Sequence, residues 1–175
     1  MVAIIDGVML TDAAVGHREI LNLLRSGVTV IGGGSMGALR AAELQDLGMI
    51  GIGRIFEEYA SGRIEGDDEV VLLYDPHTLS ALSEPLINLR LNLERAVEEK
   101  ILHRGAALNI LEELRTHYYP QRDLSQLLAI ARISLETVDY ERVEKFFKSS
   151  FEDFKKKDAF LVLEAVKKIV LTGQN

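Results

Sequence analysis

The chain has 175 residues, 47% apolar and 27% charged, with a formal charge of −7 and no cysteine. Such a composition can bury a core and suits one domain, or a domain with a helical extension. It excludes disulfides, a catalytic or persulfide-carrying thiol and Cys-ligated metal, and it lacks the basic excess of a nucleic-acid binder.

Val2–Ile5 reads as a strand that ends at the turn signal Asp6-Gly7. From about His17 to Arg25, Ile20, Leu21, Leu23 and Leu24 recur at helical spacing, and Gly27 closes the helix. Val28–Ile31 is a β-branched apolar run, read as a short buried strand. Gly32, Gly33, Gly34 and Ser35 follow, then an Ala/Leu-rich helix to about Leu47, stopped by Gly48. Strand–helix–strand order of this kind implies parallel pairing through a right-handed crossover. Ile55–Ser61 is a short helix, and Glu69–Tyr74 (EVVLLY) predicts a third strand, broken by Asp75-Pro76.

Beyond Ser83, read as an N-cap, the pattern turns helical. Leu86, Leu89, Leu93, Ala96 and Val97 step by three and four. Ala106–Tyr118 is a helix broken before Pro120, and Asp123 with Gln126 resembles a capping box for the next. Tyr140–Phe154 and Ala159–Leu171 supply two more. Phe146, Phe147, Phe151 and Phe154 fall on one stripe, read as core, with docking of a partner as the alternative. Lys155–Lys157, Lys167 and Lys168 are interleaved with Glu152, Asp153, Asp158 and Glu164, which reads as a solvated helix face. The expected fold is α/β: a small parallel sheet of strand–Gly turn–helix units in residues 1–82. A helical C-terminal region, residues 83–175, then packs on that core or on a partner. No apolar run is long enough to span a membrane. MVAIIDG lacks the basic and apolar regions of a signal peptide, so a cytoplasmic chain is expected.

Chemistry concentrates in residues 28–43, VTVIGGGSMGALRAAE. A strand, a tight turn and a helix start bring backbone N–H groups, a helix dipole and the Ser35 hydroxyl to one place, which suits an anion or a developing oxyanion. Gly32, Gly34 and Gly37 satisfy the dinucleotide pattern G-x-G-x-x-G. Gly33, Ser35 and Gly37 satisfy the nucleophile-elbow pattern G-x-S-x-G. The bland alternative is a turn whose glycines permit close strand–helix packing. A dinucleotide site needs an acid at the end of a second strand, about 20 residues on. Glu57 and Glu58 sit near there, but in a helical pattern. An elbow needs oxyanion donors, for which the Met36 and Gly37 amides qualify, and a base. His17 opens a helix just after the first strand and is placed best. His77, His103 and His117 are further candidates, with Asp67 or Asp68 as the acid of an α/β-hydrolase order. Asp67, Asp68 and Glu69 together could bind Mg²⁺ or pair with arginine. Arg40 can pair with Glu43 on its own helix, or orient one of those acids or a substrate carboxylate.

The segments IIDGV, HREIL, GVTVIGGGSMGALRAAEL, GMIGIGRIFEEY and DDEVVLLY resemble, in order and spacing, the TfuA-like proteins. The resemblance covers roughly Val2 to Ala96, and SMGALRAAE is its most specific part. It implies an accessory to YcaO enzymes, which activate a peptide backbone amide with ATP so that sulfur replaces its oxygen. The modified target would resemble a methyl-coenzyme M reductase subunit or a ribosomal peptide. It further implies hydrolysis of the C-terminal thiocarboxylate of a ThiS-like carrier by a Ser–Lys pair, without a cofactor or resident metal. Ser35 matches the family serine, with Gly34, Met36 and Gly37 around the anion. Asp6, Arg40, Glu43, Asp67, Asp68 and Glu69 are the expected supporting residues. Arg18 stands where many members carry Lys. Arginine stays protonated, so its expected role is to bind the carrier's carboxylate end or orient a water, with His17 as the titratable substitute. Lys100 is a remote alternative base. Members often carry more residues before the DG motif, so a short form is expected. A non-catalytic adaptor that binds YcaO, with Ser35 serving as a helix cap, is the competing reading. Nucleotide binding at the glycine turn is the third.

Overall fold

A computed structural model of the chain describes residues 1–7 and 14–172. Val8, the last residue of the IIDGV segment, lies outside them. The elements in chain order are β1 (Val2–Ile4), α1 (His17–Arg25), β2 (Val30–Gly33), α2 (Met36–Leu44), β3 (Ile50–Ile52) and α3 (Arg54–Ala60). Then come α4 (Leu86–Glu98), α5 (Arg104–Thr116), α6 (Leu124–Ser134), α7 (Thr137–Ser150) and α8 (Phe154–Thr172). The fold is α/β with a helical C-terminal region, as the sequence predicts. Two compact units divide it: Met1–Asp67 with Phe154–Asn175, and Asp68–Asp153. The expected division at 82/83 grouped the last helix with the other helices, whereas α8 joins the α/β unit.

In the first unit the strands lie in the order β1-β2-β3, all parallel. Val2 pairs with Val30 and Ile4 with Gly32, while Ile31 pairs with Ile50 and Gly33 with Ile52. Ile4, Ile20, Val30, Ala41, Leu44 and Met49 form a core on this sheet, with Leu21, Leu24 and Phe56 against it. Helix α2 lies unusually close to the strands. A Cβ at Gly37 would coincide with the carbonyl oxygen of Ile4, so only a residue without a side chain allows this approach.

The second unit packs α4, α5, α6 and α7 around Leu86, Leu89, Leu93, Ile110, Leu114, Leu127, Val143, Phe146 and Phe147. Polar side chains bind its loops. Asn92 donates to the carbonyls of Asn88 and Glu152, both at 2.8 Å, and accepts from the Glu152 amide at 2.9 Å. Buried Arg122 donates to the carbonyls of His117 (2.9 Å) and Asp68 (3.1 Å). Two phenylalanines of the stripe, Phe146 and Phe147, are core, and Phe151 packs against them. The helix breaks after Ser150, so Phe154 opens α8 in the other unit.

The third strand is Ile50–Ile52, not EVVLLY. The latter starts as a 3-10 turn, Asp67–Glu69, and contributes only an isolated antiparallel bridge, Tyr74 with Ala81. Local partners take its polar groups. The Leu73 amide donates to the Ser83 hydroxyl at 2.8 Å, and the Leu73 carbonyl accepts from the Leu82 amide at 2.8 Å. Ser83 is therefore occupied there and does not cap α4, which begins after Pro85. Asp123 does cap α6, accepting from the Gln126 amide at 2.7 Å.

Candidate functional site

Ser35 stands between β2 and α2 at the C-terminal edge of the parallel sheet, where open α/β sheets place ligands. It is 2% exposed. Its backbone is neither helical nor extended (φ −144°, ψ −113°). A serine preceding a helix ordinarily accepts a hydrogen bond from the second or third helical amide. Here the hydroxyl makes no such bond. The Ser35 amide donates to the carbonyls of Ile5 (3.1 Å) and Gly33 (2.9 Å), and the Ser35 carbonyl accepts from Ala38 and Leu39. The Gly37 amide, expected as an oxyanion donor, is directed instead at the Ile5 carbonyl at 3.4 Å. The Met36 amide meets no acceptor among the described residues. One hydroxyl and one helix-start amide are thus left over at the positive end of α2.

Helix α8 covers this turn. A Cβ at Gly33 would lie 2.6 Å from Val162, and one at Gly34 would lie 3.4 Å from the Lys155 carbonyl oxygen. The Lys155 side chain is 11% exposed, and its Nζ is 3.9 Å from Oδ1 of Asp6, so it is no solvated surface lysine. Asp6 also accepts from the Gly7 amide at 3.0 Å. Asp158, one turn on and buried, accepts from the Arg54 amide (3.0 Å) and the Ile55 amide (2.8 Å). It thereby caps α3 from a distant part of the chain. Gly53, before α3, has φ +99°, and a Cβ there would overlap the Asp158 carboxyl. Burial pushes the Asp158 carboxyl above the usual carboxylate value; the Ile55 and Arg54 amides pull it back, Glu57 adds to the rise and the Arg54 charge opposes it.

On the other flank of Met36 is a cleft of about 410 Å³ whose lining includes Met36, Arg40, Glu43, Glu65 and Asp67. Arg40 donates to the Val15 carbonyl at 3.0 Å and to Glu43 at 2.7 Å. His17 Nε2 lies 2.8 Å from the same Glu43 oxygen. The structure therefore brings His17, Arg40, Glu43 and Asp67 to one neighbourhood. It does not bring His17 to Ser35: Glu43 is eight residues along the helix, roughly 12 Å at 1.5 Å per residue. Arg18 is exposed on the first turn of α1.

Two acids of the run pair with arginines, and the third, Asp67, lines the cleft. Asp68 pairs with Arg122 at 2.9 Å. Buried Glu69 pairs with Arg90 through both carboxylate oxygens. Among the described residues no group of three or more His, Asp or Glu is placed to hold a metal. The acids required by a dinucleotide site are also engaged: Glu57 and Glu58 belong to α3, and buried Glu58 lies 2.6 Å from both Arg54 and Arg63. His77, His103 and His117 belong to the second unit, where His117 contacts the Glu113 carbonyl and Gln126.

Sequence reasoning missed Lys155 and Asp158. One clue was available: α3 begins at a glycine with no capping side chain, so its first amides need a partner from elsewhere. A sequence model of the TfuA-like protein family matches residues 6–123. That match includes Ser35 and the cleft residues Arg40, Glu43 and Asp67, and ends before α8. No curated protein matches the chain.

Proposed function

The chain belongs to the TfuA-like family, and from that premise we propose that it hydrolyses the C-terminal thiocarboxylate of a ThiS-like carrier to supply sulfide to a YcaO enzyme. Family membership points to thioamidation-related processes; the hydrolytic step rests on one observation. The Ser35 hydroxyl is buried at a helix start yet does not cap it, next to a Met36 amide without an acceptor among the described residues. A serine retained only as a cap would make the cap bond.

In this reading Ser35 Oγ attacks the carbonyl carbon of the carrier's thiocarboxylate, and the Met36 amide with the α2 dipole holds the oxyanion. The C–S bond breaks, hydrosulfide leaves, and the carrier is held as a Ser35 ester. Water cleaves that ester, returning the carrier carboxylate and the serine. One water is consumed for each hydrosulfide and proton released. Lys155, carried to the same edge by α8, is the group that moves the serine proton. Arg40, which lines the cleft on the other flank of Met36, meets the tail of the carrier as it approaches Ser35. The YcaO enzyme and its target, a methyl-coenzyme M reductase subunit or a ribosomal peptide, are the downstream partners. No cofactor takes part.

The burial of Ser35 favours a second reading, a non-catalytic adaptor for YcaO. A mass-spectrometric time course of thiocarboxylated ThiS separates the two. Wild type removes the sulfur mass; Ser35→Ala does not, although it still binds YcaO. Its stability changes by no more than about 0.5 kcal/mol, because no cap bond is lost. Hydrolysis that survives in Ser35→Ala overturns the assignment, and no hydrolysis by wild type leaves the adaptor.

A further inference from the structure

We infer that α8 pairs antiparallel with α8 of a second copy of this chain. The inward face of the helix is already used: Asp158 and Val162 are buried. The outward face carries exposed apolar residues between its charges. Phe160, Leu163 and Leu171 are 56%, 51% and 74% exposed, and Leu161 and Val170 are exposed beside them. Phe160 and Leu171 share the line opposite the buried Asp158 and Val162, and Leu161, Leu163 and Val170 lie on its flanks.

The order of residues along that face identifies the occupant. Phe160, Glu164, Lys167 and Leu171 follow one another at spacings of four, three and four, which puts them in one line along the helix. The line reads apolar, acid, base, apolar, and it is symmetric about a point between Ala165 and Val166. A two-fold axis through that point sets Phe160 opposite the partner's Leu171 and Glu164 opposite the partner's Lys167. An isologous contact requires a surface complementary to itself, and this one is. A parallel pairing would instead set Glu164 against Glu164 and Lys167 against Lys167, and is repulsive. Neither Glu164 nor Lys167 is engaged in an ion pair among the described residues. The paired stretch is only about 16 Å long at 1.5 Å per residue, so the contact is smaller than a permanent interface and the dimer is reversible.

Sedimentation equilibrium of the full chain over a range of concentrations tests this. Wild type is expected to show a concentration-dependent dimer, and Leu171→Glu to remain a monomer. Glu164→Lys or Lys167→Glu alone turns two symmetric attractions into repulsions and weakens association about tenfold. The double variant E164K/K167E reverses both partners together and restores association towards wild type. All three positions are exposed, so circular dichroism should be unchanged. A wild type that stays monomeric throughout overturns the inference. So does a dimer indifferent to Leu171→Glu, or a double variant no better than the single ones.

Discussion

The two units solve the same packing problem with opposite means. In the α/β unit the close contacts exist because side chains are missing: Gly37 lies against the Ile4 carbonyl and Gly53 against the Asp158 carboxyl. In the helical unit they exist because side chains are large: Leu89, Leu93, Ile110 and Phe147 fill the space between helices. Buried polar groups differ in the same way. The first unit sends a carboxylate to receive backbone amides at a helix start. The second sends amide and guanidinium groups to backbone carbonyls of its loops, through Asn92, Arg95 and Arg122. A unit defined by contact between backbones tolerates no added atom, whereas one defined by side-chain volume tolerates additions where space is open.

Gly37→Ala should therefore have the largest effect. The added methyl coincides with a backbone oxygen, which no rotamer change relieves, so α2 must move off the sheet. A loss of more than about 4 kcal/mol is expected. Amide hydrogen exchange reads it by region: β1, β2 and α2 should lose protection, with smaller changes in α4–α7. Equal loss in both sets of helices would break the distinction between the units.

Asp158 comes next. Asp158→Ala leaves the Arg54 and Ile55 amides without their acceptor, at a cost of about 1–3 kcal/mol. The pH dependence is more diagnostic than the size. Because burial holds this carboxyl above its usual 3.8 in the folded chain, the folded state keeps its proton at a pH where the unfolded chain has lost it. The contribution of the group is thus fully present below the usual value and is lost as pH rises through the raised one. Thermal melts of wild type and Asp158→Asn from acid to neutral pH should show the variant gaining on wild type as pH rises. A difference that is flat, or that widens with pH, would mean the carboxyl is not desolvated as its surroundings require.

What could be read in the sequence follows from the same contrast. Periodicity of three and four residues marks α1 and α4, since an amphipathic helix writes its buried face into the chain, whereas α2, buried on most sides, shows as an Ala/Leu-rich run. The glycine turn and Ser35 were legible because a strand–turn–helix junction is local. Strand β3 was not: Ile-Gly-Ile carries no apolar run, and its strand character comes from pairing with β2. EVVLLY has strand composition, yet Ser83 and Arg90 take its polar groups, and neither partner can be foreseen from the segment alone. Asp158 in a lysine-rich run resembles a solvated residue until α3 supplies two amides from about a hundred positions away. Within the candidate site, local geometry was readable and long-range partners were not. Hence Met36 has no acceptor among the described residues, Gly37 has one, and Lys155 arrives unannounced.

Gly105→Ala should have the smallest effect, with the opposite sign. This glycine lies in the first turn of α5, and a Cβ there would meet nothing within 4 Å. Glycine in a helix is disfavoured relative to alanine because the unfolded chain has more backbone freedom to lose. Replacing it where the backbone already suits an alanine should add about 0.5 kcal/mol and raise the melting temperature slightly. The chemical change is the one made at Gly37, a hydrogen for a methyl, and only its surroundings differ. If Gly105→Ala destabilises as well, open space around a glycine in the helical unit does not imply tolerance, and the contrast between the units does not extend to their glycines.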